Sequence, residues 1–176
     1  HLRAAGAAHS VPHGSLELEI TETGLMKDLQ SVIPALQRLT DIGVAISVDD
    51  FGTGYSSLSY LTTLPISEVK IDRSFVRDLG LTDQSSAVVT AIVALARSLG
   101  LRVIAEGVES PRQMEVLHRL GCALMQGYLF ARPMPPDELL GWVRQVQGGA
   151  ATPWRHLESQ PGWRLVPDVS ALASIG

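Results

Sequence analysis

The 176-residue sequence lacks the features that mark disulfide-rich, nucleic-acid-binding and membrane-spanning proteins. Its single cysteine, Cys122, can neither form an internal disulfide nor hold a metal alone, which favours a reducing, cytoplasmic setting. Lys and Arg total 14 against 18 Asp and Glu, so the formal charge is -4, with no basic excess for binding DNA or RNA. The longest apolar stretch, residues 87–96 with Thr90 inside it, is far shorter than the roughly 20 residues that span a bilayer.

Nucleotide-binding and metal-binding motifs of several common classes are also missing from the sequence. DFG at 50–52 matches a protein-kinase motif, but neither a glycine-rich nucleotide loop nor an HRD-type loop accompanies it. The pattern G-x-x-x-x-G-K-[ST] does not occur, and the five histidines form no metal-spaced pair on a predicted helix. These absences exclude a kinase, a P-loop nucleotidase and a histidine-based zinc site.

What is present is the pattern of an α/β protein. Five short runs bounded by Gly, Pro or polar turns predict strands: 16–21, 44–48, 68–71, 101–105 and 122–125. Between and after them, helical patterns occur at 26–39, 56–63, 84–99, 111–120 and 136–143. The third is apolar almost all round, so we expect it to be buried or to lie at an interface.

The connections between strands predict the topology of the fold. They are roughly 20 to 30 residues long and most contain a helix, which is typical of parallel strands in a layered α/β fold. Past Gln147 the periodicity is lost. We therefore predict a domain over residues 1–147 and a tail or appendage over 148–176.

Polar side chains lie at or just beyond the carboxyl end of every predicted strand. In chain order they are Glu19, Glu22, Asp49, Asp50, Lys70, Asp72, Glu106 and Gln126. Parallel α/β folds bind ligands beyond the carboxyl ends of their strands, and β/α barrels take catalytic residues from several such ends. The arrangement therefore predicts an active site at one rim.

The residue types at this rim indicate metal chemistry. Converging carboxylates repel one another unless cations neutralise them, and sulfur-free oxygen ligands suit Mg²⁺, Mn²⁺ or Ca²⁺. Adjacent Asp49 and Asp50 can reach two ions about 3.5–4 Å apart if strand alternation breaks down there, and such a pair of ions suits phosphoryl displacement. Lys70 can fix the water or neutralise charge on a phosphate.

Each of these residues also has a purely structural interpretation. A single Glu at a strand end is usually solvated, two Asp before Phe-Gly can form a turn, and Lys70 can extend along the surface to water. The agreement of all five strands favours a site over these explanations.

Five motifs together resemble the EAL domain, the cyclic di-GMP phosphodiesterase family of bacterial signalling. They are LELEITE (16–22), DDFGTGYSSLSYL (49–61), KIDRSFV (70–76), VIAEGVES (103–110) and QGYLFARPMP (126–135). The similarity covers about residues 1–145, in order and with family-like spacing. It implies a modified (β/α)8 TIM barrel, of which this chain supplies the C-terminal five βα units.

The resemblance implies a metal site and a reaction. Glu19, Asp49 and Asp50 correspond to metal ligands, with Asp49 bridging two Mg²⁺ or Mn²⁺ ions. Glu106 corresponds to the carboxylate at the second metal and its water, and Lys70 to the lysine that orients the attacking water. In the family's mechanism this water opens cyclic di-GMP in line and gives linear pGpG.

Two further residues acquire roles from the resemblance. Gln126 corresponds to the family's site glutamine, and Glu22 to the glutamate that anchors the loop over 51–57. That loop couples metal binding to dimerisation in the family, so a homodimer through residues 51–63 is expected. An upstream sensor or GGDEF domain, and a parent protein tethered to the membrane, are also compatible with the family.

The sequence also departs from the family pattern. The E-A-L motif with its metal-binding Glu does not occur, nor does the asparagine ligand expected on the next strand, so about three of eight strands are missing. One metal would lose two ligands, and its affinity should fall sharply. We therefore expect a fragment that is inactive by itself, from a parent that is active.

Two rival functions remain open at this point. The parent could be an EAL-like receptor that binds the dinucleotide or a protein without cleaving it. Receptors of that kind lose metal carboxylates or the lysine, and none of those covered by the chain is lost, which favours the enzyme. An unrelated metal-dependent TIM-barrel enzyme is the third possibility, and the long match DDFGTGYSSL argues against it.

Overall fold

A computed structural model describes residues 12–54, 60–148 and 152. The strands in these residues are β1 (Glu17–Thr21), β2 (Ala45–Phe51), β3 (Glu68–Ile71), β4 (Arg102–Ala105) and β5 (Leu124–Met125). The helices are α1 (Glu22–Met26), α2 (Leu29–Thr40), α3 (Arg73–Arg77), α4 (Asp83–Ser98), α5 (Pro111–Leu120) and α6 (Pro136–Gln147).

The five strands form one parallel sheet whose spatial order follows the chain, β1-β2-β3-β4-β5. Each strand pairs with the next one after a helical or irregular crossover, the arrangement that parallel pairing requires. The predicted parallel α/β fold is confirmed, and all five predicted strands are present. Because the strands are parallel and neighbouring in sequence, their carboxyl ends lie along one edge.

The central strands are buried on both faces of the sheet. Alternating residues Ile46, Val48, Val69 and Ile71 join a hydrophobic core that helices α2, α4 and α5 complete. The intervening residues Ser47, Glu68 and Lys70 are polar and also buried. Because successive side chains point to opposite faces, one face of the sheet packs on helices while the other collects polar groups.

Helix α4 is only partly as predicted. Val89, Ile92, Val93 and Ala96 form its buried side, whereas Ala87, Ala91 and Ala94 are exposed on the other. Burial is therefore confirmed for one side of the helix only, and the alternative that the other side lies at an interface stays a prediction. Small alanine side chains reduce the apolar area that this side presents to water. Among the described residues, no helix is long and apolar enough to cross a bilayer.

Three other predictions of helices need correction. The helix predicted over 26–39 begins later, at Leu29, where the Asp28 side chain caps α2 by accepting from the Ser31 amide; Met26 instead ends α1, which was not predicted. Helix α3 was not predicted. Of the helix predicted at 56–63, residues 55–59 lie outside the described residues and 60–63 form turns.

The last predicted strand is shorter than expected. Only Leu124 and Met125 are in β5, and Cys122 lies before the strand, with its amide donating to the Leu117 carbonyl at 2.9 Å. Gly121, at φ 85°, ends α5 in the left-handed conformation that glycine adopts without steric cost. Burial raises the pKa of the Cys122 thiol to about 12, so this side chain behaves as a small core residue.

Candidate active site

Strand β2 ends in a bulge that contains Asp49 and Asp50. Val48 pairs with Val69 and Phe51 with Ile71, so β2 has one more residue than β3 between these pairs. Asp50 has φ 54°, a left-handed conformation that Asp tolerates better than most residues, and its amide donates to Asp49 Oδ1 at 2.9 Å. The break in alternation that two neighbouring ligands require is therefore present.

Lys70 on β3 is the centre of a cluster of carboxylates. Its Nζ lies 2.7 Å from Glu19 Oε1, 2.6 Å from Glu106 Oε1 and 3.9 Å from Asp49 Oδ1. The lysine side chain is 5% exposed, so it does not extend to solvent as the structural interpretation required. Side chains from β1, β2, β3 and the residue after β4 thus meet at the carboxyl ends of the strands.

The environment of Lys70 keeps it charged. Burial by itself lowers the pKa of Lys70, but hydrogen bonds to Glu106 and Glu19, with the nearby charge of Asp49, outweigh burial and raise the pKa above its ordinary value. An ammonium group held in this way donates hydrogen bonds at any physiological pH and does not serve as a base. Its chemical use is to neutralise or orient an oxygen atom.

At the same edge, the carboxyl groups of Asp50 and Asp72 contact each other. Burial, followed by Asp49 and Asp72, raises the pKa of Asp50. Asp72 follows β3 and caps α3, accepting from the Ser74 amide at 3.0 Å. Burial raises the pKa of Asp72, but hydrogen bonds from Ser74 outweigh it and the net pKa is lowered. Negative charge is therefore concentrated around Asp50, beyond what Lys70 neutralises.

The donor atoms at this edge suit a hard divalent cation. Glu19, Asp49, Asp50 and Glu106 offer only carboxylate oxygens, which Mg²⁺ and Mn²⁺ accept. Within residues 12–54 and 60–148, no three acidic, histidine or cysteine side chains are close enough to form a complete ligand set. The Lys70 ammonium bonds to both Glu19 and Glu106, and so takes up oxygens that a cation would use. The carboxylate oxygens of these residues suit divalent ions, and a complete set of ligands would require further donor atoms.

Glu22 holds the loop that follows β2. It is the first residue of α1 and is 1% exposed. Its Oε2 accepts from the Gly52 amide at 2.9 Å, and its Oε1 accepts from the Tyr60 hydroxyl at 3.4 Å. A Cβ at Gly54 would lie 3.0 Å from Oε1, so the loop backbone packs directly on the carboxylate. Glu22 thus contacts the loop that it was predicted to anchor; residues 55–57 of that loop lie outside the described residues.

Gln126 and Glu106 line one cleft. Gln126 follows β5 directly, and its amide donates to the Ala105 carbonyl at 2.8 Å, which places it beside the end of β4. The cleft has a volume of about 190 Å³, and its other lining residues are Arg73, Gly107, Glu109, Gly127 and Tyr128. Gly127 is required there because any Cβ would overlap the Val108 backbone. The structure thus brings Gln126 to the Glu106 side of the cluster.

Arg73 and Tyr128 are two side chains of this cleft that were not predicted for the site, and Glu109 is a third. Tyr128 is 54% exposed, and the Arg132 guanidinium lies 4.5 Å from the centre of its ring, a cation–π contact. Arg73 and Tyr128 lie inside motifs already quoted, KIDRSFV and QGYLFARPMP, immediately after or near predicted site residues. That proximity was the available signal, but neither residue ends a strand.

Comparison with known sequences decides the family. The sequence profile described as EAL domain matches residues 1–133. The chain belongs to the EAL domain family. It is 50% identical over 142 residues to the bifunctional diguanylate cyclase/cyclic di-GMP phosphodiesterase MucR of Pseudomonas aeruginosa, a match that covers 81% of this chain and 21% of MucR. It is 48% identical over 142 residues to the cyclic di-GMP phosphodiesterase NbdA of the same organism, covering 81% and 18%.

Solved structures of EAL domains have the same fold. The phosphodiesterase of Pseudomonas aeruginosa MucR in complex with cyclic di-GMP superposes with a TM-score of 0.74 at 50% identity, covering 78% of this chain and 56% of that one. The EAL domain of Mycobacterium smegmatis DcpA gives 0.75 at 39% identity, covering 84% and 65%. Klebsiella pneumoniae BlrP1, in a complex with manganese and cyclic di-GMP, gives 0.70 at 34% identity, covering 75% and 34%. The sheet of this EAL chain is therefore part of a TIM-type barrel.

The EAL chain spans about a fifth of the length of the first two relatives and between a third and two thirds of these solved chains. Its matches nevertheless include every residue from Glu19 to Gln126 that was predicted for the site, since the family profile runs from residue 1 to 133.

Proposed function

We propose that the whole protein to which this EAL chain belongs hydrolyses cyclic di-GMP to linear pGpG with two Mg²⁺ or Mn²⁺ ions. The observation that carries the proposal is the convergence of Glu19, Asp49 and Glu106 on the buried Lys70 at the carboxyl ends of parallel strands. Relatives named as cyclic di-GMP phosphodiesterases, NbdA among them, support the choice of substrate. The manganese in the BlrP1 complex supports the choice of metal.

Each residue of the cluster has its own role in the proposed reaction. Glu19, Asp49 and Asp50 would hold the ions, and bound ions would make water more acidic and stabilise negative charge on the phosphate. Glu106 accepts a proton from the attacking water, and Lys70 donates a hydrogen bond that orients this water or the phosphate oxygen. Water adds to phosphorus, one ester P–O bond breaks, and the departing ribose oxygen takes up a proton.

Gln126 and Glu22 act around this centre. Gln126 supplies amide hydrogen bonds in the cleft that it shares with Glu106. Glu22 holds the loop after β2 through Gly52, next to Asp49 and Asp50. Its contact with Tyr60 supports the proposal that residues 51–63 transmit metal binding to a homodimer interface. The bifunctional name of MucR supports an additional GGDEF domain in the whole protein. A cytoplasmic location of this domain is part of the proposal.

A receptor that binds cyclic di-GMP without cleaving it is the second candidate. It is favoured by one observation: the carboxylates of the described residues form no complete set of metal ligands, and Lys70 bonds to both Glu19 and Glu106. The carboxylates and the lysine that receptors lose are all retained, so hydrolysis is the function we propose for the whole protein.

Incubation with cyclic di-GMP and Mn²⁺, followed by chromatography for pGpG, tests the proposal. We expect the whole protein to form pGpG. Product formation should stop when EDTA removes the metal, because the negative carboxylates repel the phosphate when no cation lies between them. The 176-residue chain by itself should form none. Binding of cyclic di-GMP by the whole protein without any product would favour the receptor, and product from the chain alone would show that its own ligands suffice.

A further inference from the structure

A second group of charged side chains lies on three of the strands that carry the candidate site, nearer their amino ends. It consists of Glu17 on β1, Glu68 on β3 and Arg102 on β4. Arg102 Nη2 lies 3.6 Å from Glu17 Oε2, and its Nε lies 3.3 Å from Glu68 Oε2. Glu17 and Glu68 each precede a member of the Lys70 cluster by two residues, so they lie on the same face of the sheet. The proposed reaction uses none of them.

Glu68 is the most deeply buried member of this group. Its side chain is 2% exposed, whereas those of Glu17 and Arg102 are 30% and 55% exposed. Among the described residues, Glu68 Oε1 has no hydrogen-bond partner. On β2, Ser47 pairs in register with Glu68, and its buried hydroxyl also has no partner there. A carboxylate oxygen in such a place is strongly disfavoured unless it is paired or protonated.

The charges around Glu68 do not balance if it is ionised. Arg102 is the only cation in contact with it among the described residues, and Glu17 shares that guanidinium. Lys70, two residues along β3, bonds instead to Glu19 and Glu106. Two carboxylates therefore face one partly exposed cation. A proton on Glu68 removes the excess charge and turns one of two facing acceptors into a donor.

We propose that below neutral pH Glu68 is a neutral carboxylic acid that donates a hydrogen bond to Glu17, so that Glu17, Glu68 and Arg102 form an interior layer that joins β1, β3 and β4 on the amino-terminal side of Lys70. Burial, followed by the hydrogen bond and charge of Glu17, raises the pKa of Glu68 to about 7, although Arg102 and Lys70 act in the opposite direction. On β2 the facing group is the uncharged Ser47. The layer stands whether or not the proposed hydrolysis is confirmed.

The proton has a consequence for stability that can be measured. The ordinary pKa of a Glu, 4.5, applies to the unfolded chain, and the folded value is about 7. Between these values the folded chain binds the proton and the unfolded chain does not, so stability falls as the pH rises from 4.5 to 7. Above the folded pKa the contribution of Glu68 to this slope ends.

Carbon-13 NMR of the Glu side-chain carboxyl groups in the 176-residue chain tests the proposal directly. We expect the Glu68 signal to titrate near pH 7, and Glu68→Gln to lose that signal. Thermal unfolding provides a second test. The unfolding temperature of the wild-type chain should fall as the pH rises from 5 to 7, and that of E68Q should fall less. E138Q, which changes an exposed carboxyl on α6, should keep the wild-type slope.

Two results would overturn the neutral Glu68. One is a Glu68 signal that titrates below pH 5, and the other is an E68Q variant with the same dependence of unfolding temperature on pH as wild type. The titration is made on the wild-type chain and assigned through backbone connectivities. Its result therefore decides the matter even if E68Q fails to fold.

Discussion

Replacing Glu106 by Ala should lower the rate of cyclic di-GMP hydrolysis by the whole protein at least about 100-fold, while binding of the dinucleotide persists. The loss is expected because a proton acceptor positioned at the reacting water contributes about 10²- to 10⁴-fold. Binding persists because the cleft keeps Gln126, Arg73 and Tyr128. Rates of pGpG formation and equilibrium binding of cyclic di-GMP, measured on the same preparation, check both parts.

Glu106→Gln separates the chemical role of this residue from its structural one. The amide oxygen can still accept the hydrogen bond that Lys70 now gives to Glu106 Oε1, so the stability of the domain should change little. It cannot take a proton from water, so hydrolysis should fall as in E106A. Glu138→Ala on α6 is the control and should keep full activity. Unchanged hydrolysis in E106Q would show that Glu106 is not the general base.

Lys70→Met should both inactivate the whole protein and destabilise the fold. Methionine has a similar length but leaves Glu19 and Glu106 facing each other without their shared cation. Removing one partner of a buried ion pair costs about 3–5 kcal/mol, and the 53% exposure of the Glu19 side chain reduces this to about 2–3 kcal/mol. Denaturant unfolding measures the stability, and pGpG formation should fall at least about 100-fold.

The chain supplies a matched control for this variant. Its only other lysine, Lys27, is exposed after α1, so Lys27→Met should change stability by less than about 0.5 kcal/mol. Equal stability of K70M and K27M would show that Lys70 does not hold the carboxylates together. Full activity of K70M would refute the proposed role of the ammonium group.

The sequence was sufficient to predict the positions of the strands and most of the residues at their ends. Short runs rich in Val, Ile and Leu predict parallel strands that are buried on both faces, and Asp49, Lys70 and Glu106 lie at the ends of such runs. Because the strands are parallel, their carboxyl ends lie together. The distances from Lys70 to Glu19 and Glu106 depend on strand stagger and on side-chain conformation. Neither strand stagger nor side-chain conformation can be predicted from the local sequence pattern.

Helix α3, the burial of Glu68 and the lining of the cleft depend on tertiary contacts, which the periodicity of the sequence does not predict. Helix α3 has only five residues and is set by the Asp72 cap, so it gives no helical stripe. Glu68 is buried because β3 lies between β2 and β4 in the sheet. The sequence alone predicts the opposite, since a Glu at the start of a strand is usually exposed. Tyr128 lies in a turn and Arg73 is the first residue of the short helix α3, and at neither place does the sequence indicate that the side chain faces a cleft.

The most direct test of the two-metal proposal is a count of bound Mn²⁺ ions by electron paramagnetic resonance. Titration of the whole protein should show two ions bound, and Asp49→Asn should weaken binding at least about tenfold, because the carboxylate proposed to bridge the ions is lost. Asp137→Asn, an exposed carboxyl on α6, should bind as wild type does. Two ions bound with unchanged affinity in D49N would contradict a metal site built on the carboxylates around Lys70.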